Sequence, residues 1–385
     1  PRVRILSMNR RNFLSKVGLT MAATLVSGVA QAALVSSSVV EYTGTGTDDT
    51  TALQQLLNSN PYVIIKGQVR VTSITVPAGK RLISYASHGS IKNSYGQSPA
   101  SNGMASQNGT IVGISQSQPT VKLNEGSTVE NIYVLNSQHQ FGIDNSCSWQ
   151  NTAISFQGDD CTVRNCWVIG YDQGVSAVNV QRPTVDGFKG DCTNGVHFHD
   201  IRDVGRINNV HLWSFGTISI ADNAGCNGPF GAGSHILRRN GMGVKLTGIN
   251  DWTMVRFVFT YGYNYGLVLV DAANVTIAQC AFDNINIHND DTGFPVGSSN
   301  AVGVGIYGNS WNIRLSQITV AAHQYGIYAH TLYTGNTVDM DQVHIFDCRS
   351  HGVVAIKTQV KYSQLRITRV PIQLSELQGG TIRPQ

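Results

Sequence analysis

Apolar residues recur along this chain in a short, regular pattern that neither a helix nor a simple alternating strand accounts for. One unit starts at Val129, Val163, Val185, Ile207, Met254, Ile277, Leu315, Met340 and Tyr362. Two residues on comes a mostly amide column: Asn131, Asn165, Gly187, Asn209, Arg256, Gln279, Gln317, Gln342 and Gln364. Three and five residues on come apolar pairs such as Ile132 and Val134, Cys166 and Val168, Val210 and Leu212, or Cys280 and Phe282. The pair shares one parity and the start has the other, so the chain must bend between them, at the amide column. Stacked amides that bond up and down such a column would hold the repeated bend.

A second unit precedes most copies. Gly174, Gly195, Gly243, Gly266, Gly305, Gly326 and Gly352 each open a strand, with Ala153 as a variant. Their first and third followers are apolar or small and point inward; the second and fourth point out. Successive starts of the first unit lie 34, 22, 22, 47, 23, 38, 25 and 22 residues apart, a base period of about 22. A rung of that length holds three short strands and stacks on the next at about 4.8 Å. The pattern predicts an all-β, single-stranded, right-handed parallel β-helix of about 10–11 rungs. Asp48-Asp49-Thr50-Thr51-Ala52-Leu53-Gln54 predicts a short N-terminal capping helix with an Asp N-cap. The expected divisions are an export segment over 1–33, the helix-bearing segment over 34–60, the β-helix over 61–370 and a tail over 371–385.

Composition agrees with short strands and tight turns: 40 Gly and only 13% charged residues. The net charge is +4, with no Lys/Arg run beyond the N-terminal region, which argues against a nucleic-acid partner. In the first 33 residues, Arg10-Arg11-Asn12-Phe13-Leu14 precedes an apolar run from Val17 to Val29 and a small-x-small site at Ala30-Gln31-Ala32. The paired arginines resemble a twin-arginine export signal, which implies a periplasmic or secreted location; Met8 is the natural start. The run is too short and too rich in Ala and Gly for a stable membrane anchor. Seven Cys occur without CxxC spacing, so most are expected as buried thiols.

The Asp-Asp-Thr-x-Ala-Leu-Gln helix, the Val76-Pro77-Ala78-Gly79 turn and the 22-residue coils resemble the pectate-lyase-like β-helix superfamily over about residues 40–370. That group includes polysaccharide lyases, polygalacturonase-type hydrolases and phage tailspikes. The resemblance implies a polysaccharide partner, allows a calcium cofactor and a homotrimer, and places catalysis on the sheet of Gly strands. One fold hosts many functions, so activity must come from the site.

Three long insertions, about 133–152, 211–240 and 281–302, fall in one connection and would wall the outer face of the Gly strands. On that face the pattern gathers Asp172, Asp191, His197, His199, Asp200 and Lys245, and further along Tyr307, Tyr328 and His330. Lys245 and His197 suit a lyase, which removes the proton beside a uronate carboxyl. Asp172 and Asp191 suit a hydrolase, which needs two carboxyl groups flanking the bond. His197-x-His199 offers two metal ligands without a third, so no metal site is assigned. Trp213, Tyr261 and Tyr263 are expected to stack on sugar rings, with Asp200 also in contact. Gly158-Asp159-Asp160-Cys161 resembles a polygalacturonase motif but falls before the wrong strand and reads as a turn. The expectation is an exported glycan-active enzyme, a lyase or hydrolase on an acidic glycan; a non-catalytic glycan-binding or exopolysaccharide-assembly protein is the alternative.

Overall fold

The computed structural model describes residues 39–85, 109–138, 149–213, 239–284 and 301–385. The export segment, Cys147, Cys226 and most of the three long insertions lie outside them. The described chain is a parallel β-helix whose 28 strands join in one continuous parallel sheet. Its cross-section has three sides. The first side begins with Val39–Thr43, Tyr62–Lys66 and Arg81–Ser84. The second begins with Gln68–Val71, Thr110–Gly113 and Tyr133–Asn136, and the third with Ile74–Val76, Val121–Leu123 and Thr152–Phe156. From Arg206–Leu212 onward most strands bend across the first two sides as one element; Arg206–Leu212 pairs with Met254–Tyr261, and that with Thr276–Asp283.

The bend is made by residues in the left-handed backbone region: Asn131 (φ 59°), Asn165 (50°), Gly187 (68°), Asn209 (54°), Gln279 (56°), Gln317 (55°) and Gln342 (53°). The amide column thus supplies the conformation that short amides and glycine tolerate best. An explicit side-chain ladder runs at another corner, where Asn274 Nδ2 donates to Asp251 Oδ1 and Asn312 Nδ2 to Asn274 Oδ1. The Asp159-Asp160 pair lies in a turn, as expected, with Asp160 bound to Arg182.

Glycines opening the third-side strands have a steric reason. A Cβ on Gly195 would stand 2.4 Å from the Gly243 carbonyl oxygen, one on Gly243 2.7 Å from that of Gly266, and one on Gly266 2.7 Å from that of Gly303. Backbone cannot yield at that distance. The fifth member of the column is therefore Gly303; Gly305 is two residues late, and it pairs with Val268 and Tyr328. The first unit also slips once: Ile207 pairs with Val255, leaving Met254 facing out. Met254, Val255, Phe257, Val258 and Phe259 are all apolar, so the pattern there fits two registers equally well.

Side chains pointing inward form one core along the axis, from Val63 to Ile382. Cys161, Cys166, Cys192, Cys280 and Cys348 are buried thiols. The Thr50–Ser59 helix contributes Leu53 and Leu57 to that core. Its polar groups occupy the open edge of the first rung: Gln54 exchanges two hydrogen bonds with the Thr75 backbone, and Thr50 Oγ1 accepts from Thr72 N–H. Asp49 stands at the N-cap but makes no cap bond; its carboxylate accepts from Arg70 N–H, while Asp48 accepts from Thr50 N–H. No helix among the described residues is long and apolar enough to cross a membrane. Residues 371–385, expected as a tail, instead add two strands: Ile372–Leu377 pairs with His351–Ile356, and Thr381–Pro384 with Thr358–Tyr362.

Candidate functional site

On the third side, register places His197 opposite Ser176 and Lys245, with His199 opposite Thr247. His197 Nε2 lies 2.8 Å and His199 Nδ1 2.9 Å from the single Thr247 hydroxyl. Burial, with Lys245 and then His199 adding repulsion, holds His197 neutral down to about pH 4. Asp200 touches His199 at 3.3 Å, yet its other oxygen accepts from Ile249 N–H across the next turn. Asp271 makes the same bond to Asn309 N–H two rungs on, so this carboxylate is a recurring turn brace.

The two expected carboxylates do not join this group. Asp191 is fully buried, opposite Ile169 on the second side, and so presents no surface to a substrate. Asp172 is half-buried near the corner between those sides, where Asn194 Nδ2 donates to it at 3.2 Å; burial raises its carboxyl. Tyr307, Tyr328 and His330 do gather further along the third side. The Tyr307 and Tyr328 rings lie 6.0 Å apart, and Tyr328 meets His330 edge-on at 6.4 Å. Tyr307 folds over Gly305, where a Cβ would collide with its ring at 2.5 Å.

Tyr263, expected on the surface, is a core residue whose hydroxyl donates to Cys192 O at 2.8 Å. Trp213 and Tyr261 instead lie on the outer face of the second side. Here the outward position of successive strands reads Tyr133, Trp167, Lys189, His211 and Phe259, each opposite the next. Tyr133 stacks on Trp167 at 5.5 Å. The Lys189 ammonium sits 4.6 Å above the Trp167 ring, a cation–π contact. His211 stacks on Trp213 at 5.9 Å and meets Phe259 edge-on at 5.0 Å; Trp213 meets Tyr261 at 5.9 Å.

Beside this wall is a cleft of about 500 Å³, lined by Tyr85, Asn131, Asn165, Trp167, Gly187, Lys189, Asn209 and His211. Part of the amide column forms one bank and the outward strand positions the other. Partial burial lowers the Lys189 ammonium below its usual range. Burial, and then the charge of Lys189, brings His211 down to about 4, so it is a neutral base at ordinary pH. A concave site with an aromatic floor, a cation and a desolvated base is what a small polar-ligand site needs. Sequence reasoning named Trp213 and Tyr261 of the adjoining wall but missed the cleft, because it sought the charged groups around the Gly strands alone. The signal was present: Trp167, Lys189 and His211 occupy the outward position of three consecutive copies of the other unit. Among the described residues no group of three or more His, Cys, Asp and Glu could hold a metal.

No family model matches the chain, and no curated protein matches it. Solved structures do. The catalytic domain of a GH87 alpha-1,3-glucanase in complex with tetrasaccharides superposes with a TM-score of 0.54 at 12% identity, over 93% of this chain and 70% of that one. DFA-IIIase from Arthrobacter chlorophenolicus A6 in complex with GF2 superposes at 0.55 and 6% identity, over 91% and 93%. The enzymatically active domain of bacteriophage CBA120 tailspike protein 2 aligns at 0.47 and 12% identity, over 89% of this chain and 45% of that one. The first two likenesses show the shared parallel β-helix fold.

Proposed function

We propose that this chain is a glycan-active enzyme that cleaves an acidic polysaccharide by β-elimination in the Trp167–Lys189–His211 cleft. The observation that carries this is the pairing of Lys189 and His211 on adjacent rungs of a cleft whose described lining residues include no carboxylate. A retaining or inverting hydrolase works with two carboxyl groups. A lyase needs a cation for the uronate carboxylate and a base for the adjacent proton. In this reading Lys189 binds the carboxylate and Trp167 supports the sugar face. Neutral His211 takes the C5 proton; the electron pair left behind forms the C4–C5 double bond as the C4–oxygen bond breaks. The departing oxygen takes a proton from solvent. A glycan substrate is further supported by the name carried by one similar fold, an alpha-1,3-glucanase in complex with tetrasaccharides. Export by way of residues 1–33 belongs to the same proposal.

A hydrolytic reading has one observation in its favour, the raised carboxyl of half-buried Asp172, which suits a general acid. The protein should be screened against acidic polysaccharides, following ultraviolet absorbance of unsaturated uronates and reducing ends together. Absorbance that disappears in Lys189→Ala and His211→Ala is the expected result. Reducing ends without absorbance, surviving in His211→Ala and lost in Asp172→Asn, would replace the lyase with a hydrolase. Silence in both channels would favour a glycan-binding or assembly protein.

A further inference from the structure

Two positive-φ residues stand apart from the rest. Non-glycine residues in the left-handed region of this chain are mostly Asn, Asp, Gln and other polar types, but Trp252 (φ 58°) and Phe257 (φ 53°) are aromatic. They are 58% and 52% exposed, so neither ring is held by the core. A bulky side chain in this region costs backbone energy and is normally replaced by Asn or Gly. Burial does not compensate that cost for either ring.

Phe257 occupies a telling place. Asn208 pairs with Arg256 and Val210 with Val258, so Phe257 lies directly beyond Asn209 in the bending column. The column members Asn131, Asn165, Gly187 and Asn209 line the cleft. Phe257 is the next residue along that bank, about 4.8 Å further on. Polar amides thus run along the cleft and end at an exposed aromatic face. Trp252 sits at another corner and does not extend the bank.

We propose that Phe257 is a substrate-positioning platform at one end of the cleft, where its ring stacks on a pyranose unit of the polymer. This rests on the glycan reading above and adds that the polymer runs along the coil axis, past Lys189 and His211, toward this ring. An aromatic face suits the C–H surface of a pyranose, and an exposed ring is available for it.

The test compares full-length wild type, Phe257→Asn, Phe257→Trp and Lys189→Ala. Each is measured by thermal unfolding and by retention in native gels containing polygalacturonate or alginate. Phe257→Asn should relieve backbone strain and raise Tm by about 2 °C or more. It should also bind the retaining polymer about tenfold more weakly. Phe257→Trp should keep the retention. Phe257→Asn with wild-type retention overturns the platform, and loss of retention in Lys189→Ala alongside it leaves the cleft reading standing. A fall in Tm for Phe257→Asn also overturns it, because the ring would then be structural. Wild type retained by neither polymer overturns the acidic-glycan reading and the platform together.

Discussion

Two outward faces of the coil carry a lysine beside a histidine one rung away: Lys189 with His211 on the second side, and Lys245 with His197 on the third. Both histidines are brought down to about 4 by burial and by the neighbouring lysine. Their surroundings differ. His197 and His199 share one Thr247 hydroxyl, which has a single hydrogen to donate, and Asp200 braces the adjoining turn. His211 stands at the edge of a cleft, between Trp213 and Phe259, with Lys189 held over Trp167. The lesson is that the same residue pair becomes a site through what encloses it. An aromatic wall and a recess give the second side a place for a ligand.

The comparison breaks most directly under substitution of the two bases. His211→Ala should lower kcat/KM for the cleaved polymer by about 10²–10⁴-fold, the usual contribution of a general base, while His197→Ala should leave it essentially unchanged. The reverse order would move the chemistry to the Gly strands. A pH profile sharpens the same contrast. With His211 as base, activity should persist through pH 5 and fall as pH drops through about 4. Lys189→Met removes the repulsion that helps hold His211 neutral, so the His211 imidazole, followed by NMR titration, should take up its proton at higher pH than in wild type, whereas Lys245→Met should not move it.

Stability effects are smaller and separate scaffold from site. Gly195→Ala places a Cβ against the Gly243 carbonyl and should cost about 1–3 kcal/mol by chemical denaturation. His323, fully buried with Nδ1 2.7 Å from Ala321 O, is lowered to about 4 by burial. Its unfolded form takes up a proton near its ordinary value, about 6.5, before the folded form does. Stability should therefore fall as pH drops from about 6.5 toward 4, by up to roughly 3 kcal/mol from this residue, and His323→Leu should flatten that slope. Tyr263→Phe should cost about 0.5–1.5 kcal/mol through the lost bond to Cys192 O and leave polymer binding unchanged.

Much of the fold was legible in the sequence because the repeat is a packing constraint. Strand alternation, the bending column and the Gly column each answer to a steric requirement that recurs every rung. The reading failed where that requirement went silent. Around residues 254–259 nearly every side chain is apolar, so register rested on pairing alone, and Gly303 and Gly305 offered two glycines for one place. Tyr263 looked like a surface aromatic because Tyr261 and Tyr265 flank it at strand spacing, but it turns into the core. The cleft was harder still. Lys189 and His211 are visible as outward residues, but concavity comes from the bank of Asn131, Asn165 and Asn209 across the bend, and a one-dimensional pattern does not contain that distance.

The most direct test of the second-side cleft is the initial rate of unsaturated-uronate formation by wild type, His211→Ala and His197→Ala on one acidic polysaccharide. Loss of rate in His211→Ala with wild-type rate in His197→Ala is the predicted result. A fully active His211→Ala protein would contradict the account.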